Sequence, residues 1–272
     1  MEKSRKRKIA LTASLCAIAV IGTAAAFLTS SDLAENNFTI GEVDIDIEED
    51  FDENKTLAAG EIIDKEPWVK NTGTVNELIF VEVSVPCMDA TFLTSDGQRI
   101  DPTGSASGAE SYRQVEEIFN LIAAADGPAK GYIIRPEQLA SGVTKNWELS
   151  YNASTPDSPG WVYLRQTESK AEKSGIQGIQ NGTYDTYLLG YSAWIAPGDR
   201  TVPIFDDLQL RSIIDSDIAG RTIGQVQINA YAVQADALEI SDLTGEGTAD
   251  APYVKSDLES IYNIIDNKNT AQ

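Results

Sequence analysis

The chain contains no histidine, and this removes most familiar hydrolytic chemistry. Zinc-protease helices need two imidazoles at i and i+4, and Ser-His-Asp or Cys-His sites need one to take the nucleophile's proton. The side chains leave open carboxylate chemistry, such as a glycosidase acid with its nucleophile, or a Ser-Lys pair. The neighbours Glu116 and Glu117 point to different faces of any regular element, so they cannot act together as a dyad. Cys87 has no imidazole to activate it and reads as a buried small hydrophobe. Carboxylates could also hold calcium, since hard cations take several oxygen ligands. Asp44, Asp46, Glu48, Glu49, Asp50, Asp52 and Glu53 form an acidic run, but without the spacing of an EF-hand loop. A strand's solvent face followed by an acidic turn explains the run more simply. We therefore expect no catalytic residue, no metal site and no cofactor, with Ca2+ at the acidic run as the alternative.

The elements that position these residues read mostly as strands. In residues 36–47 Phe38 and Ile40 alternate with polar neighbours, Gly41 interrupts, and Val43, Ile45 and Ile47 resume the period of two. Asp44, Asp46 and Glu48 then share the solvent face. Residues 62–69 and 78–85 read as two strands joined through the turn at Asn71-Thr72-Gly73, a hairpin. Residues 94–110 are a polar, mobile loop rich in Gly, Ser and Pro. From 111 to 125, Val115, Ile118, Phe119 and Ile122 recur at helical spacing behind a capping box of Ser111 and Gln114. Further strands are expected at 145–151, 161–166, 186–195, 202–210 and 222–234. Long loops cover 152–160 and 168–185. Trp147, Trp161 and Trp194 fall in these strands as core aromatics rather than a sugar-stacking platform. Val254, Leu258, Ile261, Tyr262 and Ile265 mark a last helix with Ser256 and Glu259 as its capping box. The sum is a mainly β protein, an antiparallel jelly-roll-like β-sandwich with two short helices and long inserted loops. One domain covers 27–266, with 94–185 as a loop- and helix-containing insertion and 267–272 as a flexible tail.

The start of the chain places the protein. Lys3, Arg5, Lys6, Arg7 and Lys8 precede an apolar run from Ile9 to about Ala26, and small residues end it. That order makes a secretory signal peptide over 1–26. Ala24 and Ala26 suit a cut before Phe27, and Thr23 and Ala25 suit one a residue earlier. An uncleaved run of this length would instead anchor the chain, the only expected contact with a membrane. Five of the 21 basic side chains and one of the 42 acidic ones leave with the signal, so the net charge moves from −21 to −25. Such a surface repels phosphate backbones and excludes nucleic acid as a partner. Cys16 also leaves, and Cys87 then has no disulfide partner in its own chain, so stability must come from a hydrophobic core.

Several stretches resemble the TasA/camelysin group of exported Gram-positive proteins. The signal ending GTAAAF, the strand NNFTIGEVDIDI and the segment AAGEIIDKEPWVKNTGTVNELIFVEVSV follow in that group's order. Gly60, Lys65, Pro67, Val69, Asn71 and Gly73 stand in register with its turn-and-strand segment, and Ala59 replaces the usual Pro. Residues 196–210 and 228–236 are similar to closing strands of related exported proteins. The resemblance implies release by a SipW-type signal peptidase, a jelly-roll-like sandwich, and assembly into matrix fibres. In that mode the N-terminal strand completes the sheet of the next subunit, here with Phe38, Ile40, Val43, Ile45 and Ile47 as the inserted side chains. Pairing of the strand inside its own domain is the competing expectation. The metal-dependent protease activity described for camelysin-like relatives does not carry over to a chain without histidine. The expectation is a secreted, non-enzymatic subunit of a biofilm matrix or cell-surface layer, partnered by itself or a homologous subunit. The alternative is an adhesin-like extracellular module for a glycan or protein ligand, and a carboxylate hydrolase stands third.

Overall fold

The computed structural model describes residues 42–50, 58, 60–94, 96–122, 159–174, 181–221, 224–234 and 243–270. The fold is mainly β, antiparallel and sandwich-like, with ten strands among the described residues. Its centre is β4, Glu77–Thr91, which reads ELIFVEVSVPCMDAT and is buried on both faces. A run so apolar belongs to a central strand, where neither face meets water. It lies between β8, Gly182–Tyr191, and β10, Gln227–Gln234. β7, Trp161–Lys173, extends the sheet beyond β8, with three register shifts along the pair. Where β10 stops, β5, Arg113–Glu117, takes the same side of β4. A second sheet runs in the order β2, Ile62–Asp64; β9, Asp207–Leu210; β6, Phe119–Ile122. β1, Ile45–Asp50, pairs antiparallel with β3, Glu66–Asn71, as a third, two-stranded sheet.

Alternation along β4 sorts its side chains into two cores. Ile79, Val81, Val83 and Val85 face inward with Tyr187 and Leu189, against Ile63, Phe119, Leu121, Leu208 and Leu210 of the three-stranded sheet. Leu78 and Phe80 face outward with Leu188, Val162 and Leu164, under Leu258 and Ile261 of the C-terminal helix. That helix, α2, spans Lys255–Thr270, and a single turn, α1, spans Asp215–Ile218. Gly190 matters here, because a Cβ would stand 3.0 Å from the Phe80 ring and 3.2 Å from Leu258. Its hydrogen lets the helix lie flat on the sheet.

Four expectations are corrected. Residues 62–69 and 78–85 form no hairpin: the first run breaks at Lys65, whose N–H donates to Asp206 O. β2 then joins β9, β3 joins β1, and β4 enters the large sheet, so residues 72–76 are a corner between sheets. Residues 111–125 carry no α-helix up to 122, where their description stops. A 3-10 turn at Ala109–Tyr112 stands there instead, without a side-chain cap and with Ser111 Oγ donating to Gly108 O, and β5 and β6 follow. The apolar spacing suits either period over so short a run, and pairing with β4 and β9 decides it. Trp194 lies past the end of β8, although Ile195 still bridges Glu77. The capping box of the last helix sits elsewhere: Asp257 Oδ2 accepts from Val254 N–H at 3.2 Å, and Ser256 is inside the first turn.

Other boundaries move less. β7 continues to Lys173, past the expected 161–166, and β8 starts before 186. Of residues 202–210 only Asp207–Leu210 is strand, since Pro203 has no N–H and Ile204 N–H turns to Pro67 O. Residues 145–151 with Trp147 lie outside the described residues, as do the signal residues Ala24, Ala26 and Phe27. No helix of the described residues is long and apolar enough to cross a membrane.

Candidate functional site

The segment that begins the described chain is held by an unusual concentration of polar contacts at the corner between β3 and β4. Asn71 ends β3 and is fully buried. Its Nδ2 donates to Val75 O and Ile195 O, both at 2.8 Å, and its Oδ1 accepts from Gly73 N–H at 2.9 Å. One amide thereby shapes the corner and ties it to the segment after β8. The corner presents its own N–H groups to the N-terminal segment: Thr72 and Gly73 both donate to Asp44 O at 2.9 Å. Thr74 N–H donates to Glu42 O at 2.9 Å, and Glu42 N–H returns to Thr74 Oγ1 at 2.8 Å. Gly73 is required there, because a Cβ would lie 2.3 Å from Glu42 O and 2.9 Å from Asp44 N.

Glu77 completes the arrangement from the first position of β4. Its carboxyl is fully buried, and Oε1 accepts from Asp44 N–H at 3.0 Å. Oε2 is buried without a hydrogen-bond partner among the described residues. Burial pushes this carboxyl up to about 7, against the pull of the Asp44 N–H.

Beyond the corner, β1 lies along β3 with Ile45 opposite Asn71 and Ile47 opposite Val69. Ile45 packs on the main core, and Ile47 is 36 % exposed. Val43 is half-buried just before the strand. So Ile45 and Ile47 lie along β3 within one chain, with Val43 just before them, whereas Phe38 and Ile40 lie outside the described residues. Among those residues β3 is the sole strand partner of β1, leaving it an edge strand.

On the opposite face Glu48 is half-buried rather than an open solvent group. Trp68 Nε1 donates to its Oε2 at 3.0 Å, and Lys70 Nζ pairs with Oε1 at 3.3 Å. The Trp68 bond first, then that of Lys70, holds its carboxyl below the usual range. The Arg200 guanidinium stacks 4.3 Å from the Trp68 ring centroid. Glu48, Lys70 and Arg200 line an open cleft of about 510 Å³ together with Trp194, Ile195 and Asp199. Trp194 also lines a neighbouring cleft of about 310 Å³ with Asn76, Pro159 and Thr248.

Elsewhere among the described residues, several side chains with chemical capacity link neighbouring strands. Lys173 Nζ stands 3.2 Å from Ser84 Oγ and 2.7 Å from Glu168 Oε2. Lys173 thus bridges both oxygens, and Ser84 is fully buried. Thr186 joins them at 3.1 Å from Ser84 Oγ, so the group ties β4, β7 and β8 together. Glu117 accepts from the buried Tyr187 hydroxyl, while Glu116 turns outward to Lys170 at 3.0 Å. The two carboxylates do face apart, on a strand rather than a helix. Cys87 is half-buried within β4. Trp161 is 2 % exposed, with Nε1 donating to Val202 O. Among the described residues no group of three potential metal ligands converges, and Glu48 of the acidic run is taken by Trp68 and Lys70.

Glu77, Trp68 and Arg200 were not singled out from sequence. A carboxylate directly before the four apolar residues Leu78–Val81 was the one signal that could have marked Glu77. No protein-family model matches the chain, nor does any curated protein or solved structure.

Proposed function

We propose that the mature chain is a secreted structural subunit of a biofilm matrix or cell-surface layer, which assembles when its N-terminal strand is taken up by a neighbour. The observation that carries this reading is the seating of β1. It is an edge strand, held along one side by β3 and at its start by the corner of Asn71, Gly73, Thr74 and Glu77. Those contacts go to backbone atoms of residues 42–44, so an identical segment from another chain satisfies them equally well. The likeness of the 60–73 segment to the TasA/camelysin group supports the same reading. The protein then acts by association, with itself or a homologous subunit as partner, and signal removal near Ala26 frees the segment. Concentrated mature protein should form oligomers in sizing columns and fibres by electron microscopy. A strictly monomeric protein with no fibres at any concentration would refute the assignment.

A second reading has its own observation. Trp194 is shared by two adjoining clefts with mixed polar and apolar lining, the kind of wall that an adhesin-like module offers a glycan or peptide. Binding on a glycan or protein array that Trp194→Ala abolishes, from a protein that stays monomeric, favours it over assembly. Trp161, being buried, is the wrong residue for that test.

A further inference from the structure

The contact between the N-terminal segment and the corner includes one side chain that can gain or lose a proton while fully enclosed. We propose that Glu77 is a protonation-controlled clamp on the N-terminal strand: the neutral carboxyl keeps residues 42–50 seated, and its ionisation loosens them. The inference rests on the strand-exchange reading for its use in the cell, and on local geometry for its existence.

Asp44 N–H gives the carboxyl one hydrogen bond, at Oε1, and Oε2 has none among the described residues. A carboxylate spreads its charge over both oxygens, and a buried, unpaired anionic oxygen costs far more than a neutral one. The surroundings offer no relief. Among the described residues the charge acting on the group is that of Asp44, and it opposes ionisation. Glu42 contributes a backbone carbonyl to this corner, and residues 72–76, Ile195 and Gln234 opposite on β10 are not titratable. The tight approach of Glu42 O and Asp44 N to Gly73 keeps the enclosure closed as long as the segment is seated.

Lifting residues 42–44 away exposes the carboxyl and returns it toward its ordinary value. The seated state therefore binds a proton that the released state has lost over the range between 4.5 and about 7. Seating is fully favoured below that range and weakens as pH rises through it. Over the full range a difference of this size changes the seating equilibrium by about three-hundredfold.

The test is hydrogen exchange by NMR on the mature chain, reported as the protection factor of the Asp44 amide so that intrinsic exchange chemistry cancels. Between about pH 5.5 and about pH 8 the protection should fall by about thirtyfold, while amides of β4 and β8 keep theirs. In Glu77→Gln the Asp44 protection should be the same at both values. Unchanged protection in the wild type, or an undiminished fall in Glu77→Gln, overturns the clamp. If that variant fails to fold, the 13C shift of the wild-type Glu77 carboxyl decides: a midpoint near 7 supports the clamp, and one below about 5 overturns it. Chains that never assemble while Asp44 protection still follows Glu77 would remove strand exchange and leave the clamp. Chains that assemble with pH-independent protection would do the opposite.

Discussion

Replacing Gly73 with alanine tests whether the corner holds the N-terminal segment, because the added methyl points at that segment and not at the core. It would stand 2.3 Å from Glu42 O, 2.6 Å from Glu77 Oε1 and 2.9 Å from Asp44 N. No carbon approaches a backbone oxygen so closely, so the segment, the corner or both must move. Overpacking of this kind costs about 1–3 kcal/mol when the neighbours shift. Complete ejection of the segment forfeits five hydrogen bonds, the three from Thr72, Gly73 and Thr74 N–H, the return bond to Thr74 and the one to Glu77. At about 1 kcal/mol net each, that sets a ceiling of about 5 kcal/mol. The smaller cost prevails, so Gly73→Ala should destabilise by about 1–3 kcal/mol. For a chain of this size the melting midpoint then drops by about 2–4 °C for each kcal/mol. The location matters more than the total. Hydrogen exchange should show residues 42–50 losing protection while β4 and β8 keep theirs. A variant with the wild-type midpoint and full protection at Asp44 would refute the reasoning.

Other substitutions probe the rest of the account. Leu258→Ala should cost about 2–5 kcal/mol in denaturant unfolding, since Leu258 is fully buried against the outer face of the large sheet. Asp257→Ala should cost about 1–2 kcal/mol and loosen residues 243–247, because its two oxygens accept from Val254, Thr244 and Gly245 N–H. Folding stability of the wild type should fall as pH rises from about 5 to about 8. Burial holds Glu77 at about 7 and Asp206 at about 6, so the folded chain keeps protons that the unfolded chain has released. The Glu77 share is on the order of 3 kcal/mol. Glu77→Gln should flatten that part of the slope in urea titrations, and the Asp206 part should persist; an unchanged slope would count against the burial argument. Ser84→Ala and Lys173→Met should leave assembly intact and lower the melting midpoint, as expected of groups that tie strands together.

The residues that carried the fold in the sequence were those with a single possible environment. The run from Leu78 to Val85, rich in β-branched and apolar residues, read as a strand, and the spacing of Leu258, Ile261 and Tyr262 read as a helix laid on a surface. Ile118 and Phe119 suited both periods, and the choice was made by Leu210 and Pro86, far away in the chain, through pairing that no local pattern records. The hairpin failed for a related reason: Asn71 closes its corner with a side chain anchored at Ile195, a partner more than a hundred residues on. The site was half visible. Val43, Ile45 and Ile47 announced a strand by alternation, and Asn71 and Gly73 stood out as a turn and through likeness to a family segment, though not as the clasp of the N-terminal segment. The importance of Glu77 depends on enclosure by Asp44 and Gly73, and enclosure is a property of three dimensions.

Strand exchange itself can be read from one pair of cysteines placed on separate chains. Asp46 lies directly opposite Lys70 in the antiparallel pair of β1 and β3, within the reach of a cross-strand disulfide. In a Cys87→Ser background, Asp46→Cys and Lys70→Cys chains would be mixed under assembling conditions and oxidised. The account predicts a disulfide between the two chains, found at those two positions by peptide mapping. If the disulfide forms readily when both cysteines sit in one chain and never between chains, the N-terminal strand stays home and the central claim is wrong.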